Sequence, residues 1–184
     1  MSQAALTRIE KAIGTLTQEV AGLRERVDAL AGSQGPLTTA EIIEFLDRFR
    51  AGEAMGEAGI GAWIATCQTD CLRGGLRTAQ MREGAHALLL EQRIKELGGS
   101  PSQEMDESAQ TQMMDLYGST KLSDAEKVDK ICSSFDPDTI LQQLSDQADR
   151  MDNDQETQFL LRSIIDDERS TLGFLKQAHD LLCA

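Results

Sequence analysis

The residues whose types and spacing could do chemistry are Glu53, Glu83, His86 and Glu168. Glu83 and His86 stand three apart in REGAHALLLEQRIKELGG, a stretch with helical period, so they share one helix face. That face is the apolar one. Leu76 and Leu90 flank Glu83 at seven residues, and Ile94 lies eleven beyond it. Glu53 has the same setting, with Leu46 and Ile60 at seven residues and Ile42 and Ile64 at eleven. Glu168 lies seven from Leu161 and Leu175 and four from Ile164 and Leu172. Three helices thus each aim a carboxylate along an apolar stripe. An ionised carboxylate in an apolar core is costly unless it is paired or binds a metal. Lys and Arg are scarce on these stripes, Arg93 being the main exception. A metal ion is the simplest partner for convergent acids. Carboxylates with an imidazole between helices suit iron or manganese. The blander alternative is that each acid sits at the edge of its stripe and reaches water, in which case no metal is bound.

Other chemistry finds less support. Cys67 and Cys71, four apart on a helix, could share a soft ion, but no second CxxC-type pair completes such a site. The four cysteines, Cys67, Cys71, Cys132 and Cys183, read as small buried hydrophobes for the most part. His86 and His179 are the only histidines, and neither a Ser-His-Asp nor a Cys-His arrangement is supported. No Gly-rich phosphate loop is found, and no catalytic residue is assigned.

The elements that must position these residues are helices. Thr38 or Thr39, with Glu41 or Glu44 nearby, caps a first helix over about 39–72. Gly56, Gly59 and Gly61 weaken it locally but allow close helix approach. RGG at 73–75 reads as a turn, and a second helix over about 76–97 stops at Gly98 and Gly99, with Pro101 beyond. Residues 100–120 are polar and read as a long crossing loop. A short helix covers 123–132. Asp136 and Pro137 open a third long helix to about 151, and the fourth runs over 155–182. The fold class is all-α: four long helices with one long crossover. Upstream, Leu6, Ile13, Val20 and Val27 alternate with Ile9, Leu16, Leu23 and Leu30 in heptads. Residues 1–31 therefore read as a coiled-coil helix making a homo-oligomer, a dimer or trimer, through 4–31. Gly32, Gly35 and Pro36 mark a hinge over 32–37, and 38–184 forms the bundle.

The quoted helix resembles the second helix of the ferritin-like superfamily, bacterioferritins and related bundles in particular. There, Glu-x-x-His supplies two metal ligands before a Leu-Gly-Gly-x-Pro-like ending. RAGEAMGEAGIGAW resembles the first helix of that family, with Glu53 at the ligand position and Glu57 one turn later. QETQFLLRSIIDDERSTLGFL resembles the fourth, with Glu168 at its ligand glutamate. The resemblance covers about 38–182. It implies a ferritin-like four-helix bundle whose metal ligands are Glu53, Glu83, His86 and Glu168. The chain departs from the family twice. Thr171 stands where the resemblance expects a histidine, and the third helix, with Ile140, Leu144, Gln147, Ala148 and Met151 on its stripe, offers no inward acid. Two of six ligands are absent. One ion, a weak pair using Glu57 or Asp167 as substitutes, or no metal remain as alternatives.

A formal net charge of −13 argues against nucleic acid and anionic membrane surfaces as partners. No apolar run approaches the roughly 20 residues of a membrane span, and the first residues lack a secretory pattern. The sequence therefore reads as cytoplasmic, with reduced thiols. Two functions stay open. One is a ferritin-like metal-binding protein in iron or oxygen chemistry. The other is a non-catalytic oligomeric scaffold that meets a protein partner through its acidic surface or long loop.

Overall fold

Each helix begins where its residues supply a cap. The computed structural model describes residues 35–183. The heptads, the oligomer expected from them and residues 32–34 of the hinge lie outside the described residues. Helix α1 spans Thr39–Thr66 and opens with a capping box, in which Glu41 N donates to Thr38 Oγ1 and Thr38 N donates to Glu41 Oε2. Helix α2 spans Asp70–Glu96. It stops because Gly98 takes a φ of 82°, which glycine adopts without Cβ strain, while Gly99 N donates back to Ile94 O. Helices α3 (Glu107–Tyr117), α4 (Asp124–Ser134), α5 (Pro137–Asp149) and α6 (Gln155–Leu182) start behind Asp106, Ser123, Asp136 and Asp154, whose side chains accept from first-turn amides. The described residues contain no strand, so the chain is all-α over this region.

Three local expectations need correction. The first helix ends at Thr66 rather than near 72, and RGG lies inside α2. The turn falls at Cys67–Thr69 because Asp124, far along the chain, accepts from Gln68 N and Thr69 N at 2.9 and 2.8 Å and from Trp63 Nε1 at 2.7 Å. Gly75 lies inside α2 with the ring of Phe174 where its Cβ would stand, so this glycine serves close helix approach rather than a turn. Finally, the crossing segment 100–120 contains α3, whose Met113 lies against Gly59 and whose Tyr117 ring meets Trp63 edge-on at 5.8 Å.

Helices α1 and α2 run antiparallel and very close. Gly56 faces Glu83, Gly61 faces Gln80, Gly84 faces Glu57 and Gly99 faces Ile43. Two apolar clusters form the core. One gathers Leu37, Ile42, Leu46, Leu90, Ile94, Ala148, Met151, Leu161, Ile164 and Ile165 from the start of α1, the end of α2, the end of α5 and the start of α6. The other gathers Ile60, Trp63, Leu72, Leu76, Val128, Ile131 and Ala178 from the opposite ends of α1, α2 and α6, together with α4. Helices α4 and α5 thus follow one another along α6, broken at Phe135 and Asp136. Leu37 belongs to the first cluster already. Its N donates to Arg150 O at 2.8 Å, and its O accepts from Asn153 Nδ2 at 3.1 Å.

Polar latches pin the connections. Asp47 accepts from Ser102 N and Gln103 N and holds the start of the crossing segment. Arg93 reaches Asp154, Glu156 and Thr157 and ties α2 to the start of α6. Fully buried Lys127 donates to Thr66 Oγ1 and Tyr117 O at 2.8 and 2.9 Å. None of the described helices is long and apolar enough to cross a membrane.

Candidate metal centre

Between the two apolar clusters lies a polar layer. Helix α1 supplies Glu53, α2 supplies His86 and Glu83, and α6 supplies Glu168, Asp167 and Thr171. The layer forms where it does because each stripe carries its polar residue midway between Leu and Ile anchors, and packing those anchors at both ends brings the midpoints together. Glu53 and His86 are 3% and 2% exposed, well beyond the reach of bulk water. His86 Nδ1 lies 3.1 Å from Glu53 Oε2 and 3.4 Å from Glu168 Oε1. The second contact is close enough for charge attraction but lacks hydrogen-bond geometry. Glu168 Oε1 is one of two buried side-chain atoms among the described residues with no hydrogen-bond partner, and the other is Thr171 Oγ1. One donor atom from each of Glu53, His86 and Glu168 lies within 4.8 Å of the other two.

The opposite ring nitrogen has its own support. His86 Nε2 lies 3.3 Å from Asp167 Oδ2, and Asp167 Oδ1 lies 3.3 Å from Arg82 Nε. A carboxylate on the far nitrogen, itself held by a guanidinium, fixes the ring's orientation and keeps a proton on Nε2. Asp167 therefore braces the imidazole from behind and does not join Glu53 and Glu168 on the Nδ1 side. Glu57 is exposed and packs on Gly84. Glu83, half-buried, packs its carboxyl on Gly56. The close α1–α2 approach thus seats one glutamate from each helix on a glycine of the other.

The electrostatics follow from crowding acids in a largely buried layer. Burial raises the Glu83 carboxyl to about 9, helped by the charges of Glu53 and Glu168 and by a hydrogen bond to Glu53. Burial also raises Glu53, with the Glu168 charge adding to it, while His86 opposes the rise. For His86, burial favours the neutral ring. The surrounding Glu168, Glu53 and Asp167 outweigh it and lift the imidazole to about 10. Both directions favour the protonated form, an imidazolium at His86 and a neutral carboxyl at Glu83. Burial and the Glu83 charge push the nearby Tyr117 phenol up to about 12.

All four residues singled out by phase alone sit in or beside this layer. Asp167 enters the sequence reading only as a substitute ligand, and Arg82 and Tyr117 do not enter it. The place of Asp167 on the far side of the imidazole, held by Arg82, depends on the packing of α2 against α6, and Tyr117 comes from the segment read as a loop. A signal for Tyr117 is nonetheless present, since Ala109, Met113, Leu116 and Tyr117 repeat at i, i+4, i+7 and i+8. Of the cysteine pair, Cys67 is buried and Cys71 exposed, and Cys67 Sγ points to Thr69 O and Asp124. No family model matches the chain, and neither a curated protein nor a solved structure matches it.

Proposed function

We propose that residues 38–184 form a ferritin-like four-helix bundle, with α4 and α5 as a broken third helix, and that the bundle holds iron or manganese through Glu53, His86, Glu168 and Glu83. One observation carries this reading. Three donors from three helices converge within 4.8 Å in a buried layer, leaving a glutamate oxygen and a threonine hydroxyl without hydrogen-bond partners. Donors each roughly 2.1 Å from one ion stand about 3.0–3.4 Å apart at octahedral or tetrahedral angles. The Glu53–His86 and Glu168–His86 separations are 3.1 and 3.4 Å. The donor set, carboxylate-rich with one imidazole, suits iron or manganese better than a soft ion. A bound iron would supply redox chemistry toward dioxygen or peroxide. The chain's own residues orient and charge the site: Arg82 and Asp167 fix the imidazole, and His86 and Glu83 release their protons when a cation takes their place.

The test is metal analysis of protein purified without chelator, followed by anaerobic titration with Fe(II) and Mn(II). The expected result is close to one ion per chain, falling sharply in Glu53→Gln and His86→Ala. A metal-free wild type that takes up neither ion overturns the reading. A second reading is an oligomeric interaction module without metal. It is favoured by Thr171, which places a buried hydroxyl where the resemblance expects a histidine ligand. In that case the His86 imidazolium offsets one carboxylate charge and a protonated Glu83 adds none, and the acidic surface is the contact for a protein partner.

A further inference from the structure

A second set of metal-binding side chains lies at the other end of α6, away from the polar layer. Asp129 on α4 and His179 and Cys183 at the end of α6 each offer a donor atom, and the three atoms lie within 4.8 Å of one another. His179 and Cys183 are four residues apart, so the helical period stacks them on one face. That face meets α4 because Ala178 packs in the apolar cluster with Val128 and Ile131. Asp129, adjacent to Val128, is carried to the outer edge of the same contact. His179 Nε2 then lies 3.2 Å from Asp129 Oδ1, and Cys183 Sγ lies 3.5 Å from Ala125 O on α4.

We propose that Asp129, His179 and Cys183 bind a zinc-class divalent ion, with water completing a four-coordinate site. The donor chemistry decides the class. A thiolate beside an imidazole and a carboxylate selects zinc over magnesium, calcium or manganese, which prefer oxygen alone. Three protein ligands with an open fourth position are the arrangement of zinc sites that keep a water. Asp180 Oδ1 lies 3.9 Å from His179 Nδ1, too far for a hydrogen bond but close enough to favour a cation nearby. Asp129 and Cys183 are exposed and His179 is half-buried, so an ion reaches them without opening the fold. Cys132, nearby on α4, turns its Sγ to Leu175 O at 3.8 Å and is not a donor here. Binding converts the Cys183 thiol to thiolate and releases its proton, with no change of oxidation state.

The full chain, reduced and freed of metal, is titrated with Co(II), which reports thiolate ligation by a near-ultraviolet charge-transfer band, and then with Zn(II) to displace it. The expected result is one thiolate-ligated Co(II) per chain, displaced by one equivalent of Zn(II). In Cys183→Ser and His179→Ala the band should vanish and Zn(II) affinity fall at least about 100-fold, a loss beyond what supporting contacts alone give. His86→Ala should leave the band intact, which separates this site from the carboxylate layer. Circular dichroism checks that the variants remain helical. A wild type with no thiolate band overturns the proposal, and so does a band that survives in folded Cys183→Ser.

Discussion

Gly56→Ala moves a candidate ligand without changing any ligand. An alanine Cβ at position 56 would stand 2.3 Å from Glu83 Oε2 and 3.0 Å from Glu83 Cδ. Ordinary contact begins near 3.4 Å, so the carboxylate must retreat by roughly 1 Å. The obstacle is the end of a flexible side chain, so the backbone need not shift. Alanine in a helix interior is favoured over glycine by about 0.5–1 kcal/mol. The metal-free variant should therefore melt at or slightly above the wild-type temperature. A ligand displaced by that distance should weaken Mn(II) or Fe(II) binding by about 10- to 100-fold, or about 1.4–2.7 kcal/mol. Gly52→Ala is the control. Nothing lies within 4 Å of its Cβ, so it should raise stability alone and leave binding as it was. Anaerobic titration against a competing chelator, with thermal unfolding alongside, reads both quantities. Unchanged affinity in folded Gly56→Ala, or an equal loss in Gly52→Ala, refutes the assignment of Glu83. The same titration has a signed pH dependence. An incoming ion displaces protons held up to about 9 on Glu83 and about 10 on His86, so affinity should rise with pH across the neutral range.

Three further outcomes are expected. Asp124→Asn leaves the Gln68, Thr69 and Trp63 donors short of a charged acceptor and should cost about 3 kcal/mol, lowering the melting temperature by about 6–12 °C. Burial works against the Asp124 charge, but hydrogen bonds from Trp63, Thr69 and Gln68 prevail and hold its carboxyl below the ordinary 3.8. Its contribution is thus complete above that value and is lost as pH falls through the lower folded one, so the gap between wild type and variant should close in acid. Thr171→His should tighten iron binding, read in the same titration, because position 171 is buried beside Glu168; unchanged binding in the folded variant counts against the metal layer. Deleting residues 1–35 should lower the molar mass in solution, measured by light scattering, while the helical signal per residue persists.

Much of this structure is written in short-range pattern. The stripes through Leu46, Leu90 and Leu161 gave the helices their inward faces, and the phase of Glu53, His86 and Glu168 on those stripes was enough to bring them to one level. Thr38, Gly98 and Asp136 marked helix ends because capping involves residues three or four apart. What escaped is set at long range. The break at Cys67–Thr69 is fixed by Asp124, 56 residues beyond Gln68. The RGG that reads as a turn lies inside α2, where Gly75 makes room for a ring on another helix. Helix α3 shows its apolar repeat only weakly, with Gln110, Thr111 and Gln112 between Ala109 and Met113 and no buried residue of its own. Asp129 has no sequence neighbour that joins it to His179, 50 residues away.

The reach of Asp124 also bears on the order in which the chain assembles. Helices α1 and α2 meet through contacts close in sequence, so their pairing can start early. The amides of Gln68 and Thr69 and the indole of Trp63 stay bound to water until α4 arrives with its carboxylate. The hairpin's own corner therefore completes its hydrogen bonds only when α4 docks on it. Docking of α4 after the folding barrier predicts that Asp124→Asn raises the unfolding rate by nearly the full effect and hardly moves the folding rate; a folding rate slowed by the full effect refutes that order.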